Sequence, residues 1–159
     1  MKTLIQRVAW GEVDVGGRTV ARIGPGLLVY VGIAPTDKRA DAERLAEKIA
    51  GLRIFPDETD KLNLSVQDVP GGVLAVPNFT LQADASKGRR PAFDAAAPQS
   101  IAEPLYNGFV AALRTKGCAT QSGVFGAEMS IRSEADGPVN IIIEMPPRRG
   151  AEPRHTGEQ

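Results

Sequence analysis

One cysteine and one histidine are all this chain has of the two side chains on which much hydrolytic and metal chemistry is built. Cys118 has no partner for an internal disulfide and cannot form a metal cluster alone. Its default reading is a small buried hydrophobe. His155 lies close to the C-terminus in PPRRGAEPRHTGEQ, a stretch that reads as a solvated tail. A Ser-His-Asp or Cys-His device needs a histidine fixed by the fold. Histidine-based catalysis and histidine-rich metal sites are therefore set aside.

Excess charge is missing too: 19 basic residues balance 19 acidic ones. A protein that tracks a nucleic-acid duplex shows a basic surplus, so a large duplex or DNA footprint is not expected. One strand end is a small enough target to remain open. No apolar run approaches the roughly 20 residues that cross a bilayer. The opening MKTLIQRV lacks the apolar core of a secretion signal, so a cytoplasmic protein without membrane contact is expected. No GxGxxG opens a helix and no Walker loop occurs.

What is present is a regular succession of strands and helices. LIQRVAWGEVDV and RTVARI flank Gly16 and Gly17 and read as a hairpin. LLVYVGIA (27–34) is a continuous apolar run, as in a central strand. In DKRADAERLAEKIAGLRIF, Leu45, Ile49 and Leu52 recur at helical spacing, with Thr36 or Asp37 as cap. FPDETDKLNLSVQDVPGG reads as a polar loop, and VLAV as a second buried strand. QADASKGRRPAFDAAAP has no period and reads as a long loop. A second helix spans about 100–116, with Pro104 in its first turn and Gly117 closing it. ATQSGVF, AEMSIRSE and NIIIEM read as strands, with ADGPV as a turn before the last. The pattern predicts one α/β domain over residues 1–145. It comprises mixed β-sheets and two main helices in a layered β-β-α sandwich, followed by a tail at 146–159.

Polar groups at strand ends beside proline and glycine turns are the best candidates for chemistry. Three clusters qualify: Pro77, Asn78, Phe79 and Thr80 after VLAV; Lys87 to Arg90; and Asp136, Gly137 and Pro138. The hydroxyl or main-chain N–H of Thr80 could hold an oxyanion, or the residue could merely satisfy its own turn. Phe79 could be core packing, and the basic cluster a solvated loop or an anion site. From the residues alone these alternatives stay open.

The ordered segments IQRV, IGPGLLVYVGIA, KIAGLRIFPDE, LAVPNFTLQAD, KGRRPAF, GVFGAEM and DGPVN, at these intervals, resemble D-aminoacyl-tRNA deacylases over residues 1–145. The resemblance implies a homodimeric hydrolase of translation quality control that needs neither a metal nor an organic cofactor. Such enzymes cleave the ester between a D-amino acid, or glycine, and the 3′-terminal adenosine of tRNA, a chiral proofreading step. Pro77 to Leu81 match the family's Ser-Gln-Phe-Thr-Leu motif, which implies catalytic roles for Asn78, Phe79 and Thr80. The family's cis Gly-Pro turn, lent to the partner's site, matches Gly137 and Pro138. There its main-chain carbonyls take the substrate amino group and exclude an L side chain. Arg7 matches an arginine that supports that turn, and Pro77, Phe125 and Met129 complete the implied substrate site.

Four motif positions differ. Pro77 and Asn78 replace serine and glutamine, and Ala135 and Asn140 replace asparagine and threonine. A related animal group also has proline at the first position and accepts small L-amino acids. The alternatives are thus a same-fold editing enzyme for small mischarged L-amino acids, or an inactive module that binds tRNA ends or nucleosides. A hydrolase built on Cys118 is a further, minor alternative.

Overall fold

Strand β1 (Lys2–Val15) organises the molecule. In the computed structural model, which describes residues 1–145, it is paired along both edges. At its end Gly16 and Gly17 take φ of 56° and 77°, the positive values a tight hairpin turn requires. The chain returns as β2 (Arg18–Ile23), breaks at Gly24 and Pro25, and continues as β3 (Gly26–Gly32). The registers Gly11↔Ile23 and Val8↔Gly26 place β2 and β3 one after the other down the same edge of β1. The opposite edge of β1 is taken by β8 (Ser130–Glu144), antiparallel. Beyond β3 lie β6 (Gly72–Pro77) and β7 (Ala119–Ser122), both parallel.

The central strands are apolar throughout because both their faces are covered. On β3 and β6, Leu27, Val29, Val31, Val73 and Ala75 face the two helices, α1 (Arg39–Ala50) and α2 (Gln99–Thr115). Leu45 and Ile49 of α1 and Tyr106, Phe109 and Leu113 of α2 fill that layer. The alternate residues Leu28, Leu74 and Val76 meet Val8, Val13, Ala21 and Ile23 in a second core inside the curled sheet. This gives the expected mixed sheet with two helices on one side.

Several local expectations are corrected. Helix α1 starts after Lys38, whose N–H donates to Asp41 Oδ2 at 3.0 Å. Asp37 does not cap it, because its buried carboxylate accepts the Ala34 N–H at 2.7 Å and holds the Met1 amino group at 2.5 Å. Thr36 is not the cap either. Pro104 lies beyond the first turn of α2, whose start is set by Pro98. The proline is tolerated there because it and Ser100, whose carbonyl loses a partner, are exposed. Gly117, at φ 86°, ends this helix as expected. The polar stretch after Phe55 contains a small ribbon, β4 (Phe55–Pro56) with β5 (Leu62–Leu64). The last two expected strands and their turn form one strand, β8, with a register break opposite β1. The tail at 146–159, with His155, lies outside the described residues.

Candidate active site

The parallel register explains the proline at the end of β6. The N–H of Asn78 donates to the Val31 carbonyl of β3 at 2.8 Å, and the Ala75 carbonyl accepts from Gly123 on the other side, also at 2.8 Å. By alternation the nitrogen of Pro77 points towards β7, but β7 stops at Ser122, opposite Ala75. No ladder bond is lost, so proline is free to end the strand. The space beside it is kept by Gly123. A Cβ on Gly123 would come within 2.8 Å of Met129 Sδ and 3.5 Å of Pro77 Cδ.

After Pro77 the chain enters a single 3₁₀ turn (Phe79–Gln82) capped by Asn78. The Asn78 Oδ1 accepts the Thr80 N–H at 3.2 Å and the Thr80 hydroxyl at 2.5 Å. Of the two readings left open for Thr80, its N–H follows the second: it is held by the neighbouring amide within its own turn. Core packing of Phe79 is ruled out within this chain, since the residue is 58% exposed. Its edge-to-face partner is Phe93, 5.4 Å away at 66°, from the loop that precedes α2.

Pro77, Asn78 and Phe79 form one wall of a cleft of about 350 Å³. Phe125 and Met129, from the loop that follows β7, form another, with Gln99 at the start of α2. None of the residues lining this cleft is ionisable. Behind the wall residue Phe125, ring centroids 5.9 Å apart, lies Tyr106, whose hydroxyl donates to the Ala75 carbonyl at 2.9 Å and lies 2.8 Å from Ser122 Oγ. Burial pushes the Tyr106 hydroxyl up to about 12, so it stays protonated. Thr80 lies next to the cleft wall rather than in it.

Arg7, Gly137 and Pro138 form a second site. The β1–β8 register breaks between Gln6↔Asn140 and Val8↔Ala135, which leaves residues 136–139 as a bulge opposite Arg7. The Gly137-Pro138 peptide is cis and Gly137 has φ 122°. Both residues are exposed. Arg7 is buried, and its guanidinium Nε lies 2.9 Å from the Asp136 carboxylate and donates to the Asp136 carbonyl at 3.3 Å. Nη1 donates to the Ile54 carbonyl at 2.7 Å. The guanidinium therefore bridges the bulge and the chain after α1.

The two sites do not meet within one chain. Arg7 is paired with Leu27, whereas the cleft begins where Val31 pairs with Pro77. Four residues of strand make about 13 Å, and β8 is three strand spacings from β6, about 14 Å along the sheet.

Residues 4–144 match the family model described as D-Tyr-tRNA(Tyr) deacylase. The chain belongs to this family. A D-aminoacyl-tRNA deacylase of Koribacter versatilis is 52% identical over 144 residues, 91% of this chain and 97% of that protein. One from Pelobacter propionicus is 51% identical over 144 residues, 91% of this chain and 99% of its own length. Among solved structures, one titled c-Myc DNA Unwinding Element Binding Protein superposes with a TM-score of 0.85 at 39% identity, over 91% of this chain and 98% of that one. A probable eukaryotic D-amino acid tRNA deacylase shares the fold, with a TM-score of 0.79 at 19% identity, over 89% and 97% of the two chains.

Against this deacylase background, two features escaped the sequence reading. Gln99 carries no motif, and it enters the cleft only because Pro98 starts α2 there. Phe93 sits in a stretch without periodicity, and only the fold brings it to Phe79. Cys118, the cysteine-hydrolase alternative, is buried and outside the cleft, and burial pushes its thiol up, away from the reactive thiolate. Among the described residues no helix is long and apolar enough to cross a membrane. Nor does any group of three His, Cys, Asp or Glu side chains there form a metal-holding cluster.

Proposed function

We propose that this chain, as a D-aminoacyl-tRNA deacylase, hydrolyses the ester between a D-amino acid, or glycine, and the 3′-terminal adenosine of tRNA. The observation that carries the reading is the cleft itself: an exposed aromatic ring at its mouth, hydrogen-bonding groups in its wall and no ionisable side chain. An aminoacyl ester is activated already. Its cleavage needs a positioned water, or the substrate's own 2′-hydroxyl, and donors for the negative charge that develops on the carbonyl oxygen. The Asn78 amide supplies N–H donors. The main-chain N–H of Phe79 opens the 3₁₀ turn, where a helical N–H has no partner inside its own element. Thr80 holds Asn78 in place through its hydroxyl. Phe79 stacks on the terminal adenine, and Phe125 and Met129 line the aminoacyl side of the cleft.

Chirality is read by the Gly137-Pro138 turn of a second protomer. Main-chain carbonyls take the substrate ammonium from a fixed direction, which leaves room for a hydrogen but not a side chain on the L face. The separation of roughly 13 by 14 Å along one sheet supports this, because one chain does not bring its own turn to its own cleft. The functional unit is thus a homodimer. The test is deacylation of D-tyrosyl-, L-tyrosyl-, glycyl- and L-alanyl-tRNA side by side. The reading expects loss of D-tyrosyl and glycyl esters with the L-tyrosyl ester spared. Preferred cleavage of the L-alanyl ester would replace it with the editing of small L-amino acids. Intact substrate after long incubation with stoichiometric protein would leave only a binding module.

A further inference from the structure

We propose that the hairpin formed by residues 84–92 is a phosphate grip for the nucleotides that precede the terminal adenosine. This rests on the deacylase reading of the cleft and adds to it a second contact. The hairpin's neck is closed by reciprocal hydrogen bonds, Asp84 N–H to the Ala92 carbonyl and Ala92 N–H to the Asp84 carbonyl, both 2.9 Å. The Asp84 carboxylate accepts the Ser86 N–H at 2.9 Å and so shapes the turn inside the neck. Gly88, at φ 68°, lets the tip reverse.

Between neck positions the sequence is Ala85, Ser86, Lys87, Gly88, Arg89, Arg90 and Pro91. It carries three positive charges and no negative one, in a chain whose net charge is zero. All three basic side chains are exposed. Elsewhere, basic groups such as Arg39 and Arg132 reach carboxylates of Glu43, Glu12 and Asp14 at 2.5–2.9 Å. The described residues contain no such ion pair for Lys87, Arg89 or Arg90.

The position of the tip is set by the cleft. Phe93 directly follows the neck and packs edge-on against Phe79 at the cleft mouth. The basic groups stand two to three residues from that neck, in a bent chain, which keeps their backbone within about 10 Å of it. A terminal adenosine stacked on Phe79 sends its 5′ strand out past Phe93, where successive phosphates come under the tip. Two guanidinium forks and one ammonium suit phosphate oxygens, with the arginines able to take two oxygens at once.

The test compares the wild-type protein with a Lys87→Ala, Arg89→Ala, Arg90→Ala triple variant on two substrates across a salt series. One substrate is D-tyrosyl-tRNA. The other is the D-tyrosyl ester of adenosine, which has no phosphate. For tRNA, the variant should show a KM raised about tenfold or more with kcat held. Its log–log salt dependence should be shallower by about 2, since each single-strand phosphate contact contributes roughly 0.7. The nucleoside ester should be cleaved at the wild-type rate. An unchanged salt slope would overturn the proposal, and so would an equal loss on both substrates, which marks a structural role. Failure of the wild-type protein on both esters would instead sink the deacylase reading, and the grip with it.

Discussion

Replacing Gly137 with alanine puts the proposed chirality reader under direct strain. At φ 122° an L residue is outside its comfortable range. A Cβ placed there would stand 2.9 Å from both Val139 Cγ2 and the Val139 main-chain nitrogen, and 3.2 Å from Arg7 Nη2. The first two are closer than real Cβ contacts allow, and the nitrogen belongs to the backbone. Holding the native turn would cost about 1–3 kcal/mol, so the turn shifts instead. Gly137 and Pro138 are exposed and belong to neither core, and only Val139 of the bulge packs against the larger one, so global stability should fall by no more than that strain. On the proposed reading, what is lost is the carbonyl that takes the substrate ammonium. A hydrogen bond to a charged group contributes about 1.5–3 kcal/mol, so kcat/KM for D-tyrosyl-tRNA should fall about ten- to hundredfold. The L-tyrosyl ester, spared before, should become measurable. The assay is single-turnover deacylation of both esters, with thermal melting and sizing as controls. A folded Gly137→Ala protein with unchanged D and L rates would refute the reasoning.

Three further outcomes follow from the same geometry. Asn78→Ala should slow turnover more than Thr80→Ala, because Asn78 Oδ1 is the common acceptor for the Thr80 N–H and hydroxyl, and Asn78 itself lines the cleft; equal kcat values in single-turnover assays would contradict this. Arg7→Met leaves the Ile54 carbonyl without its donor and the half-exposed Asp136 carboxylate without its cation, and should cost about 2–3 kcal/mol in urea unfolding; a loss below about 0.5 kcal/mol would show that neither contact matters. Asp57 organises the β4–β5 turn by accepting from the Thr59 hydroxyl and N–H and from Lys61 N–H, and these bonds lower its carboxyl from 3.8 to about 2. Because the folded value lies below the unfolded one, its stabilisation is complete above 3.8 and fades as pH falls towards 2. Carboxyl titration by NMR should show the low value, and Asp57→Asn should flatten the acid limb of the stability profile over that window.

Much of this architecture could be read from periodicity. The hairpin at Gly16 and Gly17, the apolar strands β3 and β6 and the helix carrying Leu45 and Ile49 are local patterns, and local pattern is what a sequence displays. The misreadings are tertiary in origin. Asp37 is a good capping residue, but it was recruited by Met1 and Ala34. The turn at Gly137 is a bulge within β8, because β1 supplies pairing on both sides of it. The ordered motif set pointed to Pro77, Asn78, Phe79, Phe125 and Met129, and the fold places all five around one cleft. It also pointed to Arg7 and the Gly-Pro turn, which the fold joins to each other. What no motif displays is register: the offset between Val31 and Leu27 that parts cleft from turn exists only once β1, β3 and β6 are aligned.

Cross-subunit complementation tests the shared site most directly. A protomer with Phe79→Ala has a damaged cleft but a sound turn, and one with Gly137→Ala has the reverse. If the turn of one protomer serves the cleft of the other, refolding the two together at equal amounts yields mixed dimers, each with one intact composite site. Half the dimers are mixed, so D-tyrosyl-tRNA deacylation should recover to about a quarter of the wild-type rate. A mixture no more active than the average of the two variants alone would contradict a site assembled from two chains.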